Sequence, residues 1–126
     1  MKILVVDDSK TARIHLRKPL EKVGWTVEEA ENVDEALHIL TGADQFDLVI
    51  TDYNMPGKTG LFLVQELRRR DECVNCNIDV IFLTSDSSEE IRSACSGLAV
   101  RAFALKPINP AAMISLIKKV IEGNEA

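Results

Sequence analysis

Asp7 and Asp8 directly follow the apolar run Ile3 to Val6, Asp52 lies just beyond Leu48 to Ile50, and Lys106-Pro107 follows Phe103 to Leu105. Each charged group ends a short, strand-like run. In a parallel α/β sheet such ends converge at the carboxyl edge, where ligands bind, so residues far apart in sequence meet in one pocket. Three carboxylates and one ammonium then share a cleft. Like charges a few ångströms apart repel by several kcal/mol at protein-surface dielectric, so the cluster is stable only with a cation among the acids. The pattern predicts a divalent metal.

The elements that must position these groups alternate between apolar runs and helical stripes. Lys2 to Val6 reads as a strand, and Ser9 caps a helix with the stripe Ala12, Leu16, Leu20 and Val23, closed by Gly24. Pro19 falls inside it; an internal proline costs about 3 kcal/mol unless the helix bends, which predicts a local kink and not an end. Thr26 to Ala30 is a weaker strand. Asn32 with Glu35 starts a helix with the stripe Val33, Ala36, Leu37 and Leu40, stopping at Gly42. Phe46 to Thr51 is a third strand, and Met55-Pro56-Gly57 forces a loop. Gly60 to Arg70 carries Leu63, Val64 and Leu67 on one helical face. Val80 to Leu83 is the fourth strand, ending at Thr84, and Ser87 with Glu90 opens a fourth helix. Ala102 to Leu105 is the fifth strand; Asn109 and Pro110 then start a last helix with the stripe Met113, Ile114, Ile117, Val120 and Ile121, ending near Glu122. Five strand-helix units make an α/β, doubly wound, five-stranded parallel sheet with helices on both faces, since each parallel crossover needs about a dozen residues.

With 126 residues, the chain is expected to be a single domain over 1–126. A formal charge of −5 argues against general affinity for nucleic acid or anionic membranes. The one basic run, Arg68 to Arg70, falls where a helix ends and suits the helix dipole. The first apolar run is too short for a signal-peptide core or a membrane span, so a cytoplasmic protein is expected. Cys73, Cys76 and Cys95 are sparse and odd in number, which fits a reducing compartment better than a disulfide framework. Cys73-Val74-Asn75-Cys76 has the spacing of half a zinc site or of a redox pair. Zinc wants four ligands, and only Cys95, His15 and His38 remain; a redox pair normally opens a helix after a strand, whereas this one lies between a helix and a strand. Neither role is expected.

The set Asp7, Asp8, Asp52, Thr84 and Lys106 resembles the receiver domain of bacterial response regulators, in its stand-alone chemotaxis type. The resemblance runs from the opening Lys-Ile-Leu-Val-Val-Asp-Asp through Thr-Asp-Tyr-Asn-Met-Pro to Ala-Leu-Lys-Pro. It implies a flavodoxin-like fold with strand order 2-1-3-4-5, a phosphorylated carboxylate at Asp52, a cis Lys106-Pro107 bond, and a switch in which Phe103 turns into space vacated by Thr84. Asn54 and Asp86 match positions that flank the phosphoryl group and tune its lifetime. The roles suit the side chains. A carboxylate held in line with a phosphoryl donor forms an acyl phosphate if the developing charge is stabilised. Mg2+ prefers octahedral oxygen ligands and few protein carboxylates, so Asp8, Asp52 and the backbone carbonyl of Asn54 are expected as direct ligands, with Asp7 acting through water. Lys106 supplies a mobile cation for the phosphoryl oxygens and Thr84 a hydroxyl donor.

Four features depart from the family pattern: Gly97 comes early before the fifth strand, Ser85 stands where alanine is common, Ile108 replaces a common phenylalanine, and the Cys73 to Asn77 loop is long. The expected protein is a phosphoacceptor and not an enzyme, catalysing its own phosphorylation and dephosphorylation. It is expected to be a monomer that takes its phosphoryl group from a histidine kinase or phosphotransfer protein. No output domain is expected, so the signal leaves by binding an output protein through the surface around the fourth helix, fifth strand and last helix. A chemotaxis-like output and a phosphorelay both fit, as does a piece of a larger regulator. A metal-dependent aspartyl phosphohydrolase would need a second acid and a substrate cap, and neither a D-x-D motif nor an inserted cap is visible. A receiver that binds partners without phosphorylation is opposed by intact Asp52, Thr84 and Lys106.

Overall fold

The computed structural model describes residues 1–85 and 89–122. Its elements run β1 (Lys2–Val6), α1 (Lys10–Val23), β2 (Thr26–Ala30), α2 (Val33–Leu40), β3 (Leu48–Asp52), α3 (Gly60–Arg69), β4 (Asp79–Thr84), α4 (Glu89–Ala94), β5 (Val100–Leu105) and α5 (Pro110–Glu122). All strand pairs are parallel, in the order β2-β1-β3-β4-β5. Strand alternation divides the apolar side chains between two cores. Ile3, Val5, Leu48, Ile50, Ile81 and Leu83 meet α1 and α5 on one face. Leu4, Val6, Val49, Val80 and Phe82 meet α2 and α3 on the other. β1 and β3, covered on both faces, bury every residue from Ile3 to Val6 and from Leu48 to Asp52. The charged groups at their ends are therefore carried by strands buried almost along their whole length.

The local signals hold where they rest on capping chemistry. Ser9 Oγ accepts from the Ala12 amide, and Gly24 closes α1 in the left-handed region at φ 105°. α1 continues through Pro19. Asn32 accepts from the Glu35 amide, but the Glu35 carboxylate reaches back to the amide of Glu31 and not to that of Asn32. Thr41, at φ −93°, caps α2 in place of Gly42. Asn109 accepts from the Ala112 amide ahead of α5. The expected cap at Ser87 and the position Asp86 lie outside the described residues.

Two strand starts differ by two residues from expectation, each for a physical reason. β3 starts at Leu48 and not at Phe46, because the Phe46 amide donates to the Asn75 side chain, 2.8 Å away, instead of to a neighbouring strand. β5 starts at Val100: the register slips between Val80 and Ile81, which pair with Val100 and Ala102, so Arg101 is an extra residue that breaks the two-residue period. The expectation of unpaired cysteines is also corrected. Cys73 and Cys76 are joined by a disulfide across a Cα–Cα distance of 5.4 Å, and Cys95 alone is free and buried. The sparse count argued against a disulfide framework, but a three-residue separation closes a local bridge without one.

The early glycine before β5 leaves its mark on the backbone. Gly97 takes φ 82°, and Ala99 takes φ 57° with a Cβ attached. A left-handed conformation costs an L-residue about 1–2 kcal/mol, partly offset in a glycine variant by that variant's looser unfolded chain. Ala99→Gly is therefore expected to raise stability by roughly 0.5–1 kcal/mol, read by thermal denaturation. A variant no more stable than the parent would mean that the turn already accommodates alanine.

Candidate functional site

The carboxyl ends of β1, β3, β4 and β5 bring together the residues named from sequence. Asp7 and Asp52 are buried, at 3% and 6% exposure, and Asp8 is exposed beside them. One carboxylate oxygen from each of the three lies within 4.8 Å of the others. Lys106, just past β5, places Nζ 2.7 Å from Asp52 Oδ2 and 3.5 Å from Asp7 Oδ2. The other oxygen of Asp52 accepts from the Asn54 amide at 3.3 Å. Thr84 is buried at the end of β4, and its carbonyl accepts the Lys106 amide at 2.9 Å. The Lys106-Pro107 bond is cis, as the resemblance implied. Phe103 is half-buried on the α3 face, its ring 6.1 Å from Phe82, with the Arg92 guanidinium 5.0 Å from its centre. Asn54 is exposed in the loop after β3.

Charge explains how the cluster is held. Burial pushes the Asp7 carboxyl above its ordinary 3.8, a shift opposed by the Ser9 amide and Lys106 but reinforced by Asp52 and Asp8. Burial works to lower Lys106, but the hydrogen bond and charge of Asp52, with Asp7, outweigh it and hold the ammonium above 10.5. Lys106 is thus the internal counter-cation of the cluster. For Asp7 the sign is unfavourable to folding: its proton is held more tightly in the native state, so stability falls as pH rises from 3.8 through the raised value. Asp7→Asn is expected to stabilise the metal-free protein by roughly 0.5–1.5 kcal/mol while weakening divalent-ion affinity. Denaturant melts in chelator and ion titration by calorimetry read the two effects. A metal-free variant less stable than the parent would show that Asp7 is net stabilising.

Two supports of the site were not legible from periodicity. Arg13, 9% exposed on α1, donates from Nη1 to the Asp7 carbonyl at 2.7 Å and from Nε to Glu29 at 2.8 Å. Arg17 takes the other Glu29 oxygen at 2.7 Å. Glu29 thereby pairs both arginines, while Arg13 fixes the backbone that carries Asp7. Two adjacent glutamates in a weak strand, with arginines four residues apart on the preceding helix, were the available signal. The second support is Gly60, the first residue of α3, whose amide donates to Tyr53 O at 3.0 Å. A Cβ there would collide with the Asp52 carbonyl oxygen and lie 3.0 Å from Phe82 Cε1.

The donor set is all hard oxygen, with buried acids repelling one another, and so suits a hard divalent cation more than a soft one. Against known proteins, the profile of the response regulator receiver domain matches residues 3–118. The chain belongs to the response regulator receiver family. This receiver is 32% identical over 123 residues to chemotaxis protein CheY-3 of Vibrio cholerae, covering 97% of this chain and 92% of that one. It superposes on the structure of the Vibrio cholerae chemotaxis response regulator CheY4 with a TM-score of 0.85 at 29% identity, over 94% of this chain and 97% of that one. It is 34% identical to response regulator TrrA of Thermotoga maritima, solved in complex with Mg2+-BeF, with a TM-score of 0.77 and coverage of 94% and 97%. The receiver is a phosphoaccepting protein of two-component signalling, with an aspartate cluster able to bind a metal. Among the described residues no helix is long and apolar enough to cross a membrane.

Proposed function

We propose that Asp52 is the phosphoacceptor, that the donor is a phosphohistidine of a histidine kinase or phosphotransfer protein, and that Mg2+ is the metal. The observation that carries this reading is the 2.7 Å pair between Lys106 Nζ and Asp52 Oδ2 inside a cluster of three aspartates. Asp8, Asp52 and the Asn54 carbonyl would hold the ion directly, and Asp7 through water. When bound, Mg2+ supplies neutralisation of charge on the phosphoryl oxygens. An Asp52 oxygen attacks phosphorus, the phosphorus–nitrogen bond of the donor breaks, and the imidazole leaves and takes a proton. Lys106 draws the transferred oxygens by charge and Thr84 donates its hydroxyl to them, while Asn54 governs attack by water; Asp86, given the same role by the resemblance, lies outside the described residues. Self-catalysed dephosphorylation belongs to the same reading.

The output is a shift in population. A phosphoryl group adds about −1.5 to −2 charges, and Thr84 drawn toward it leaves room for Phe103 to turn inward. Having no hydroxyl, Phe103 is held in either state by packing alone, here against Phe82 and beneath Arg92. The surface formed by α4, β5 and α5 is the binding face for an output protein, the receiver acting as a cytoplasmic monomer without nucleic-acid or membrane contact. The test is intact mass after exposure to a small phosphodonor with Mg2+: one added phosphoryl group is expected, and none in chelator. Addition that is indifferent to chelator overturns the role of the ion.

A further inference from the structure

We propose that Cys73 and Cys76 are a reversible redox site, opened by a dithiol reductant, whose closed form fixes the connectors at the amino edge of the sheet. The pair lies in the α3–β4 loop, at the end of the strands opposite Asp52, and the phosphoryl chemistry makes no use of it. As a staple the bridge does little, because closing so short a loop removes little freedom from the unfolded chain. What it encloses is another matter. Asn75, between the two cysteines, has no solvent exposure, and its side chain accepts from the Phe46 amide at 2.8 Å and donates to Leu40 O at 2.9 Å and Asp44 O at 2.8 Å. One side chain thus ties the disulfide loop to the whole connector from α2 into β3.

A second tie leaves the same loop. The Arg68 guanidinium donates to Cys76 O at 2.8 Å, Ile78 O at 2.6 Å and Leu98 O at 2.7 Å, so Cys76 is linked through one cation to the turn that precedes Ala99 and β5. This also revises the reading of the arginine run: Arg68 serves carbonyls outside its own helix, and only Arg69 pairs along α3, with Glu66.

Access to the sulfurs is unequal. Cys73 is half-buried and lines an open cleft of about 330 Å3 with Thr41, Arg70, Asp71 and Glu72, whereas Cys76 is 2% exposed. Val74, between them, is 58% exposed and offers apolar contact to a protein reductant. The cleft holds one cation and two carboxylates, so an uncharged dithiol meets less repulsion there than a net-anionic thiol. A reductant thiolate attacks the Cys73 sulfur, and Cys76 leaves as thiolate and takes a proton. The second thiolate of the reductant then displaces the Cys73 sulfur while forming its own disulfide, and Cys73 takes the second proton. Two electrons and two protons pass from the dithiol to the protein.

The experiment uses the full chain in native buffer, oxidised in air and then treated with dithiothreitol, with thiols trapped by iodoacetamide and counted by intact mass. Before reduction no alkylation is expected, since Cys95 is buried; after reduction Cys73 becomes alkylated first. Hydrogen exchange at the Phe46 amide is measured in both states and is expected to quicken at least about tenfold on reduction, because its acceptor Asn75 is released. The double variant Cys73→Ser/Cys76→Ser should show the fast rate whether or not dithiothreitol is present; should it fail to fold, reduced wild type supplies the same comparison. A loop alkylated without reductant, a bridge that dithiothreitol cannot open in the folded chain, or equal Phe46 exchange in both states overturns the proposal.

Discussion

Asp52→Asn is expected to leave a folded protein that gains no phosphoryl mass from a small phosphodonor and Mg2+ under conditions that fully modify the parent. The amide is nearly isosteric, and its carbonyl oxygen can still accept the Asn54 amide that now meets Asp52 Oδ1 at 3.3 Å. What it lacks is an anionic oxygen to attack phosphorus, and one of the three negative charges that make the cluster a cation site. Lys106 keeps only the more distant Asp7 oxygen, at 3.5 Å. Circular dichroism verifies the fold and intact mass reads the chemistry. An added phosphoryl group retained in this variant moves the acceptor to another residue.

Gly60→Ala should cost more stability than any surface change in this protein, about 2–3 kcal/mol and a fall in Tm of roughly 5–10 °C. The added methyl collides with backbone at the Asp52 carbonyl and with the buried ring of Phe82, neither of which can rotate away. Elsewhere in a helix the same change would gain from alanine's higher propensity, so the sign is diagnostic. Relief requires α3 to move off β3, which drags the strand carrying Asp52 with it; with Asp52 as the proposed acceptor, phosphoryl acceptance should slow in parallel. Thermal melts together with initial rates of mass gain test both. A variant as stable as the parent would mean that α3 shifts freely.

How much of this was legible beforehand depends on how far each residue's role is local. The strand ends carrying Asp7, Asp8 and Asp52 could be read because β1 and β3 are covered on both faces and therefore appear as uninterrupted apolar runs. Ser9, Asn32 and Gly24 could be read because a cap is satisfied within a few residues. β5 was cut short because Arg101 is a bulged residue on an edge strand, and nothing local distinguishes such an arginine from loop. Asn75 looked like part of a polar connector, yet it is fully buried since its partners lie about thirty residues upstream. Arg13 stands outside the apolar stripe of its helix, and its role could not be read for the same reason: its partners, the Asp7 carbonyl just past β1 and Glu29 in β2, are brought to it only by the tertiary fold.

The pairing of Lys106 has a consequence for how strongly such a device can respond. Before any modification the ammonium is already committed to Asp52, so an incoming phosphoryl group trades one ionic partnership for another instead of creating one. The lysine's share of the driving force of activation is then the difference between two attractions, less than the new one alone would give. Such a difference gives a shallower preference between states, one that added salt or a single neighbouring charge can retune.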